Sequence, residues 1–360
     1  MPSPTLTKPT PAVDPQGTLM FSEAAEAGAS VARFLSHNRP ALIRLGARMK
    51  AKPPVSVITV ARGSSDHAAT FGKYLIETLT GVPTSTAAMS VSSIYAAPVV
   101  AADGLCIAIS QSGRSPDMLA TVEAHRKAGA YVVALVNDED SPLAALADEL
   151  LPLKAGPEKS VAATKSYIVS LAGLAAIVAA WSGDRALSEG LETLPQQLDQ
   201  AFALDWSSAL PVLVPARNLF VIGRGFGFAI AQEAALKLKE TCALHAEAFS
   251  SAEVRHGPMA IVNDGFPILA FATSDAAGDG VRDVAAEFAA RGANVMLTAP
   301  AAGVNSGVQD TTELPALHGQ SAIEPILQIA SFYRLANSLS LARGLNPDSP
   351  PHLNKVTKTV

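Results

Sequence analysis

Two glycine turns, Arg62-Gly63 and Arg224-Gly225, stand 162 positions apart, and two further glycines, Gly129 and Gly292, stand 163 apart. The order of apolar runs between these landmarks also repeats. In the first half, Val55-Ser-Val-Ile-Thr-Val60 ends in Ala61-Arg-Gly-Ser-Ser65, and Gly104-Leu-Cys-Ile-Ala-Ile109 ends in Ser110-Gln-Ser-Gly-Arg-Ser115. A helix to Lys127, stopped by Gly129, leads to a third run, Tyr131 to Val136. In the second half, Asn218 to Ile222 runs into Gly223-Arg-Gly-Phe-Gly227 and a helix to Glu240. Pro267 to Ala272, a helix over Val281 to Arg291, Gly292 and Asn294 to Leu297 complete the pattern. An offset this steady means a duplicated domain. Short apolar runs alternating with helical segments mean parallel sheets covered on both faces, an α/β fold.

Helical spacing is predicted over 68–79, with Phe71, Leu75 and Leu79 on one face, and over a leading stretch from Glu23 to Met49. The stretch Cys242 to Glu253 reads as the end of a helix and a polar loop. The join between halves lies between Ser182 and Asp205, as a helix flanked by loops. A chain of 360 residues, 49% apolar and 16% charged, can bury two cores.

The same composition excludes several classes of function. A net charge of −5 with no basic run leaves no electrostatic footprint for nucleic acid. The longest apolar run, Ile168 to Trp181, spans 14 positions, short of the roughly 20 needed to cross a bilayer, so it reads as a buried helix. Met1 to Gln16 lacks the apolar stretch of a signal peptide. Cys106 and Cys242 sit in apolar segments as core thiols, which fits a reducing cytoplasm rather than a secreted, disulfide-bonded protein.

Ligands of open parallel sheets bind beyond the carboxyl ends of the strands, where helix N-termini offer N–H groups. Gly63-Ser64-Ser65 and Ser110-Gln111-Ser112-Gly113-Arg114-Ser115 both fall at that edge. Hydroxyls and amides at a helix start suit a phosphate monoester, although single serines there also serve as helix caps. The turn at Gly223 to Gly227 could be a dinucleotide fingerprint, but no strand ending in an acid follows at the required distance. No GxxxxGK[ST] segment is present.

The densest titratable cluster is Glu233, Lys237, Lys239 and Glu240, followed by His245, Glu247, Glu253, Arg255 and His256. Charged residues on such a helix ordinarily form its solvated face, which is the reading for Lys239. Glu240 stands at the helix end, where the dipole disfavours a carboxylate; an acid protonated more readily there suits a proton shuttle between neighbouring carbons. His256, before Gly257-Pro258, sits in a rigid turn that can present a ring.

At these residues a family resemblance enters. Both halves resemble the sugar-isomerase (SIS) domain, and the chain is similar to the isomerase half of glucosamine-6-phosphate synthase and to SIS-type glucosamine-6-phosphate deaminases. The matching stretches are Ser110-Gln-Ser-Gly, Val161-Ala-Ala-Thr-Lys165, Ala235-Leu-Lys-Leu-Lys-Glu240, His245-Ala-Glu247 and His256-Gly-Pro258. Met20-Phe-Ser-Glu23-Ala-Ala-Glu26 is similar to the segment opening that half.

The resemblance implies two tandem SIS domains of the flavodoxin-like three-layer kind, over 46–190 and 206–342. A tail and helix occupy 1–45, and a C-terminal tail over the active site occupies 343–360. It places the proton-shuttling glutamate at Glu240, an active-site lysine at Lys237, and the ring-opening histidine at His256, reaching into a partner subunit's site. Phosphate would be held by Ser110, Gln111, Ser112 and Ser115, with sugar contacts from Ser64, Ser65 and the Val161 backbone. The tail lysine that forms a Schiff base falls on Lys355, whose amine would need its pKa lowered from about 10.4 toward neutrality.

Three departures stand out. Ala163 replaces a serine, Pro351 replaces an arginine before the tail lysine, and the chain ends in Val360 rather than an acid. No glutaminase segment precedes the first helix. The expectation is therefore a cytoplasmic homodimer with shared sites that deaminates a hexosamine phosphate without metal or redox cofactor. Ammonia-dependent synthesis, phosphosugar aldose–ketose isomerisation, fructosamine-phosphate deglycation and a non-enzymatic sugar-phosphate sensor are the alternatives. A sensor has no need of Glu240, His256 and Lys355 together, and the residues before the first helix are too few for a DNA-binding module.

Overall fold

The structure, a computed structural model, describes residues 14–298, 300 and 307–355. The expected leading tail thus lies outside the described residues as far as position 13, and so does Val360. Helices α1 (Leu19–Ala25) and α2 (Ala27–Ala51) open the chain. The first half continues as β1 (Val57–Val60), α3 (Ser64–Thr80), β2 (Thr84–Thr86), α4 (Ser90–Ser93), β3 (Leu105–Ser110), α5 (Pro116–Lys127), β4 (Tyr131–Val136), α6 (Pro142–Leu146), β5 (Glu149–Pro152) and α7 (Lys165–Ser182). Helix α8 (Arg185–Ala203) forms the join. The second half runs α9 (Leu210–Leu213), β6 (Asn218–Gly223), α10 (Phe226–Cys242), β7 (His245–Ser250), β8 (Pro267–Phe271), α11 (Ala276–Ala289), β9 (Asn294–Thr298), β10 (Thr311–Leu314) and α12 (Glu324–Ala342).

Among the described residues the strands form two five-stranded sheets, ordered β2-β1-β3-β4-β5 and β7-β6-β8-β9-β10. Every recorded pairing is parallel, with Val57 opposite Leu105 in one sheet and Phe220 opposite Ile268 in the other. The chain switches direction across each sheet between β1 and β3, and between β6 and β8. Those two places are where ligands of such sheets bind.

Three expectations are corrected. The helix over Glu23 to Met49 is two helices, broken at Glu26, whose N–H turns back to the Glu23 and Ala24 carbonyls. The stretch after Cys242 is strand β7, not loop. The strands β2, β5, β7 and β10 were not expected from the sequence, and they are the four edges of the two sheets. An edge strand has half its backbone unpaired, so polar residues are tolerated in it. His245 and Glu247 of β7 are both exposed.

Helix α7 is the spine of the molecule. It is long and apolar enough by composition to cross a membrane, but 89% of it is buried inside the fold. Helices α2 and α3 pack against it, and α3 also packs on α10. Phe71 of α3 meets Phe226 of α10 edge-on at 6.3 Å. That contact brings the charged helix of the second half to the carboxyl edge of the first sheet.

Candidate active site

A cleft of about 320 Å³ opens at the switch point of the first sheet. Its volume lies within the range of small-molecule sites, roughly 300–1,000 Å³. The glycine turn supplies Arg62, Gly63, Ser64 and Ser65, and the loop after β3 supplies Ser110, Gln111, Ser112 and Ser115. Val161 and Ala163 come from the turn before α7, Lys237 and Glu240 from α10, and Leu353, Asn354 and Lys355 from the tail. Every site residue expected from the sequence is here except His256. That residue is exposed at the end of the 3-10 turn Glu253–Arg255, outside the cleft of its own chain.

The serines divide by what their hydroxyls already do. Ser110 is buried and its Oγ accepts the Gly113 N–H at 2.9 Å, which shapes the loop. The Ser64 hydroxyl stands near enough to Glu233 to favour its ionised form. Ser115 is the N-cap residue of α5 and lines the cleft, but makes no capping bond among the described residues. Ala163 puts a methyl group where the resembling family carries a hydroxyl.

Lys237 is the electrostatic centre. Its side chain is 1% exposed, its Nζ lies 3.4 Å from Glu233 Oε1, and it donates to the Glu240 carboxylate. Burial opposes its charge, but the two carboxylates outweigh that and hold the ammonium above its usual range. Burial likewise opposes the charge of Glu233, yet Lys237, His67 and Ser64 keep it below the usual carboxylate range. Glu240 stands at the helix end as expected, with the Lys237 ammonium beside it to offset the unfavourable dipole.

The tail is tied down. The Asp348 carboxylate accepts the Leu19 and Met20 N–H groups of α1 at 2.8 and 2.7 Å, and its carbonyl accepts the Val161 N–H at 3.1 Å. The Val161 amide, expected to serve the sugar, is therefore occupied on its N–H side. Seven residues further on, Lys355 Nζ donates to Glu158 Oε2 at 3.0 Å. Glu158 also accepts from Thr164 N–H and from Ser166. Burial pushes its carboxyl up, but Lys355, Ser166 and Thr164 prevail and hold it below its ordinary range.

Arg62 lines the cleft, and Glu158, Glu233 and His67 support it from behind; none of the four was assigned to the site from the sequence. Arg62 donates to the buried Asp117 at the start of α5, with Nη2 at 2.5 Å. Arg62 and Asp117 are 55 positions apart, and only the Ser110–Ser115 loop signalled that the segments meet.

The second sheet has the same turn in tighter surroundings. Gly63 and Gly225 share a φ of +55°, a left-handed value that favours glycine. A Cβ at Gly63 would meet no described atom within 4 Å, whereas one at Gly225 would lie 3.0 Å from the Ala277 Cβ. In the loop after β8, the buried Glu324 carboxylate accepts the Ser274 N–H at 2.7 Å, so a protein acid occupies an amide of the loop.

The SIS domain family model matches residues 51–180 and 212–301. The chain belongs to the SIS domain family. It is 35% identical over 318 residues to the glutamine–fructose-6-phosphate aminotransferase (isomerizing) of Symbiobacterium thermophilum, covering 83% of this chain and 51% of that protein. The chain thus spans about half the length of the curated relatives it matches. Among solved structures, a protein from Silicibacter pomeroyi assigned as a phosphosugar isomerase superposes with a TM-score of 0.86 at 40% identity, covering 92% of this chain and all of that one. Glucosamine-6-phosphate deaminase from Thermotoga maritima superposes at 0.71 over 95% of this chain and all of its own; at 22% identity this shows the shared fold alone. These SIS relatives are enzymes, and the chain is one too, with an acid, a buried cation and a tail amine in one cleft.

Proposed function

We propose that this SIS protein is a glucosamine-6-phosphate deaminase of the isomerising kind, releasing fructose 6-phosphate and ammonia. One observation carries the reading: a primary amine, Lys355, shares a cleft with the Glu240–Lys237 pair and a hydroxyl-rich loop at a helix start. The loop of Ser110, Gln111, Ser112 and Ser115 takes the phosphate, with the α5 N-terminus adding its dipole. Once the sugar ring is open, Glu240 removes the C2 proton and returns it to C1, while a second proton passes from the amine nitrogen to O1. The aldehyde becomes a CH2OH group and the amine-bearing carbon becomes an imine. Lys355, once its ammonium has passed a proton to the imine nitrogen, attacks C2, expels ammonia and leaves a Schiff base, which water hydrolyses to the ketone. Water is the only co-substrate of this direction, whereas the reverse direction needs ammonia delivered to the cleft.

Aldose–ketose isomerisation of a phosphosugar without an amine would use Glu240 alone and leave Lys355 without a chemical part. Deglycation of a fructosamine phosphate would use both, and the shape of the sugar pocket decides between them. His256 opens the ring from a partner copy in this account, since it is exposed and outside its own cleft, so the working unit is a homodimer. Buried reduced thiols at Cys106 and Cys242 suit a cytoplasmic setting. The test is Glu240→Gln: turnover of glucosamine 6-phosphate is lost by at least about a hundredfold while the substrate still binds. Full activity in that variant would remove Glu240 from the mechanism.

A further inference from the structure

His67 stands in the first turn of α3 and reaches across to the other half of the molecule. Its Nδ1 lies 3.0 Å from Glu233 Oε2, a residue 166 positions away with a fully buried side chain. The other Glu233 oxygen accepts from Tyr333 OH at 3.0 Å and faces Lys237. Lys237 in turn holds Glu240. A continuous line of polar contacts therefore joins a first-half imidazole to the carboxylate that lines the cleft.

The charges along this line are uneven. Glu233 is ionised, held so against burial by Lys237 and His67. An ionised carboxylate only accepts hydrogen bonds, so His67 Nδ1 carries a proton in this contact. Two carboxylates, Glu233 and Glu240, then share the one ammonium of Lys237. Whatever Glu233 draws of that ammonium is lost to Glu240. A donor on the far oxygen of Glu233 relieves this competition. The other titratable groups facing His67 or Glu233 are Asp66 and Arg62 from its own segment, Tyr167 from α7 and Tyr333 from α12. Both tyrosines are held neutral by burial, so neither adds a charge there.

We propose that His67 is a positioning residue of this site: by satisfying Glu233 it leaves the Lys237 ammonium directed at Glu240. His67 is not among the residues lining the cleft, so it acts through Glu233 and Lys237 rather than on the sugar. The proposal rests on the reading of Glu240 as the proton shuttle, and it adds a residue that ties the shuttle's geometry to the packing of α3 on α10.

Two measurements on the intact protein decide it. In H67A, Lys237 withdraws toward Glu233. The expected result is a kcat about tenfold lower with KM little changed, and an acid limb of the kcat profile displaced upward by about one pH unit or less. H67N keeps a donor near the Nδ1 position and should restore both. A profile for H67A that superimposes on the parent's overturns the proposal. The second measurement does not depend on the reaction: urea unfolding of H67A, E240Q and the double variant. Non-additive shifts of the midpoint are expected although the two side chains do not touch. Additive shifts overturn the proposal, even if the parent turns over no glucosamine 6-phosphate and the functional reading has itself failed. H67L, which fills the space without a donor, takes the place of H67A if that variant does not fold.

Discussion

Lys355 Nζ lies 3.0 Å from Glu158 Oε2, and the two residues are 197 positions apart. This pair fastens the tail across the mouth of the cleft. It also sets the acid limit of the docked tail. The Glu158 carboxyl is held below its ordinary range, so its stabilising effect is complete above the unfolded value of about 4.3 and is lost as pH falls through the lower folded value. In Lys355→Met the carboxylate loses its cation, and the acid transition should begin at a higher pH. Lys355 is 23% exposed, so water replaces part of the lost contact and a loss of about 1–3 kcal/mol at neutral pH is expected. Urea unfolding from pH 3 to 7 checks both; an acid transition unchanged in the variant would mean that the pair does not hold the tail.

Ser110 and Ser115 should separate structure from binding. The Ser110 hydroxyl holds Gly113 N–H, so Ser110→Ala should lower stability by about 1 kcal/mol as well as weakening phosphate binding. Ser115 makes no capping bond among the described residues, so Ser115→Ala should leave the melting temperature alone. A hydrogen bond to a charged group is worth about 1.5–3 kcal/mol, which predicts a KM raised about 10- to 100-fold. Thermal melts beside steady-state kinetics read the difference.

His256 outside its own cleft gives a complementation test. His256→Ala and Glu240→Gln should each be nearly inactive alone. Mixed after partial unfolding and refolding together, they should regain activity, because a hybrid dimer holds one cleft with both groups intact. No recovery, with dimers present, would place His256 outside the reaction.

The two thiols should be inert in the folded protein. Burial pushes Cys106 up to about 12 and Cys242 up to about 11. The reactive thiolate is therefore scarce at neutral pH. A maleimide reagent should label neither in the native state and both in denaturant, as mass spectrometry will show.

How far the sequence foretold this molecule depends on burial. The central strands, such as Leu105–Ser110 and Tyr131–Val136, are covered on both faces and declare themselves as apolar runs. The edges Thr84–Thr86 and Thr311–Leu314 do not, because half of each meets solvent and polar residues are tolerated there. The serine loops of the cleft were legible because they follow strand ends in sequence, whereas Lys237, Val161 and Lys355 were placed by the family resemblance. The supporting carboxylates were not. Glu158 reads as one more charged loop residue until the tail folds back on it. His67 and Glu233 stand far apart in the chain, and no local pattern announces a contact that arises only when α3 packs on α10.

The most direct measurement is to mix the purified protein with glucosamine 6-phosphate and follow ammonia and fructose 6-phosphate in the same reaction. This account predicts both products in equal amounts, with neither from Glu240→Gln. Fructose 6-phosphate absent and ammonia absent, from protein that still binds the phosphosugar, would contradict it.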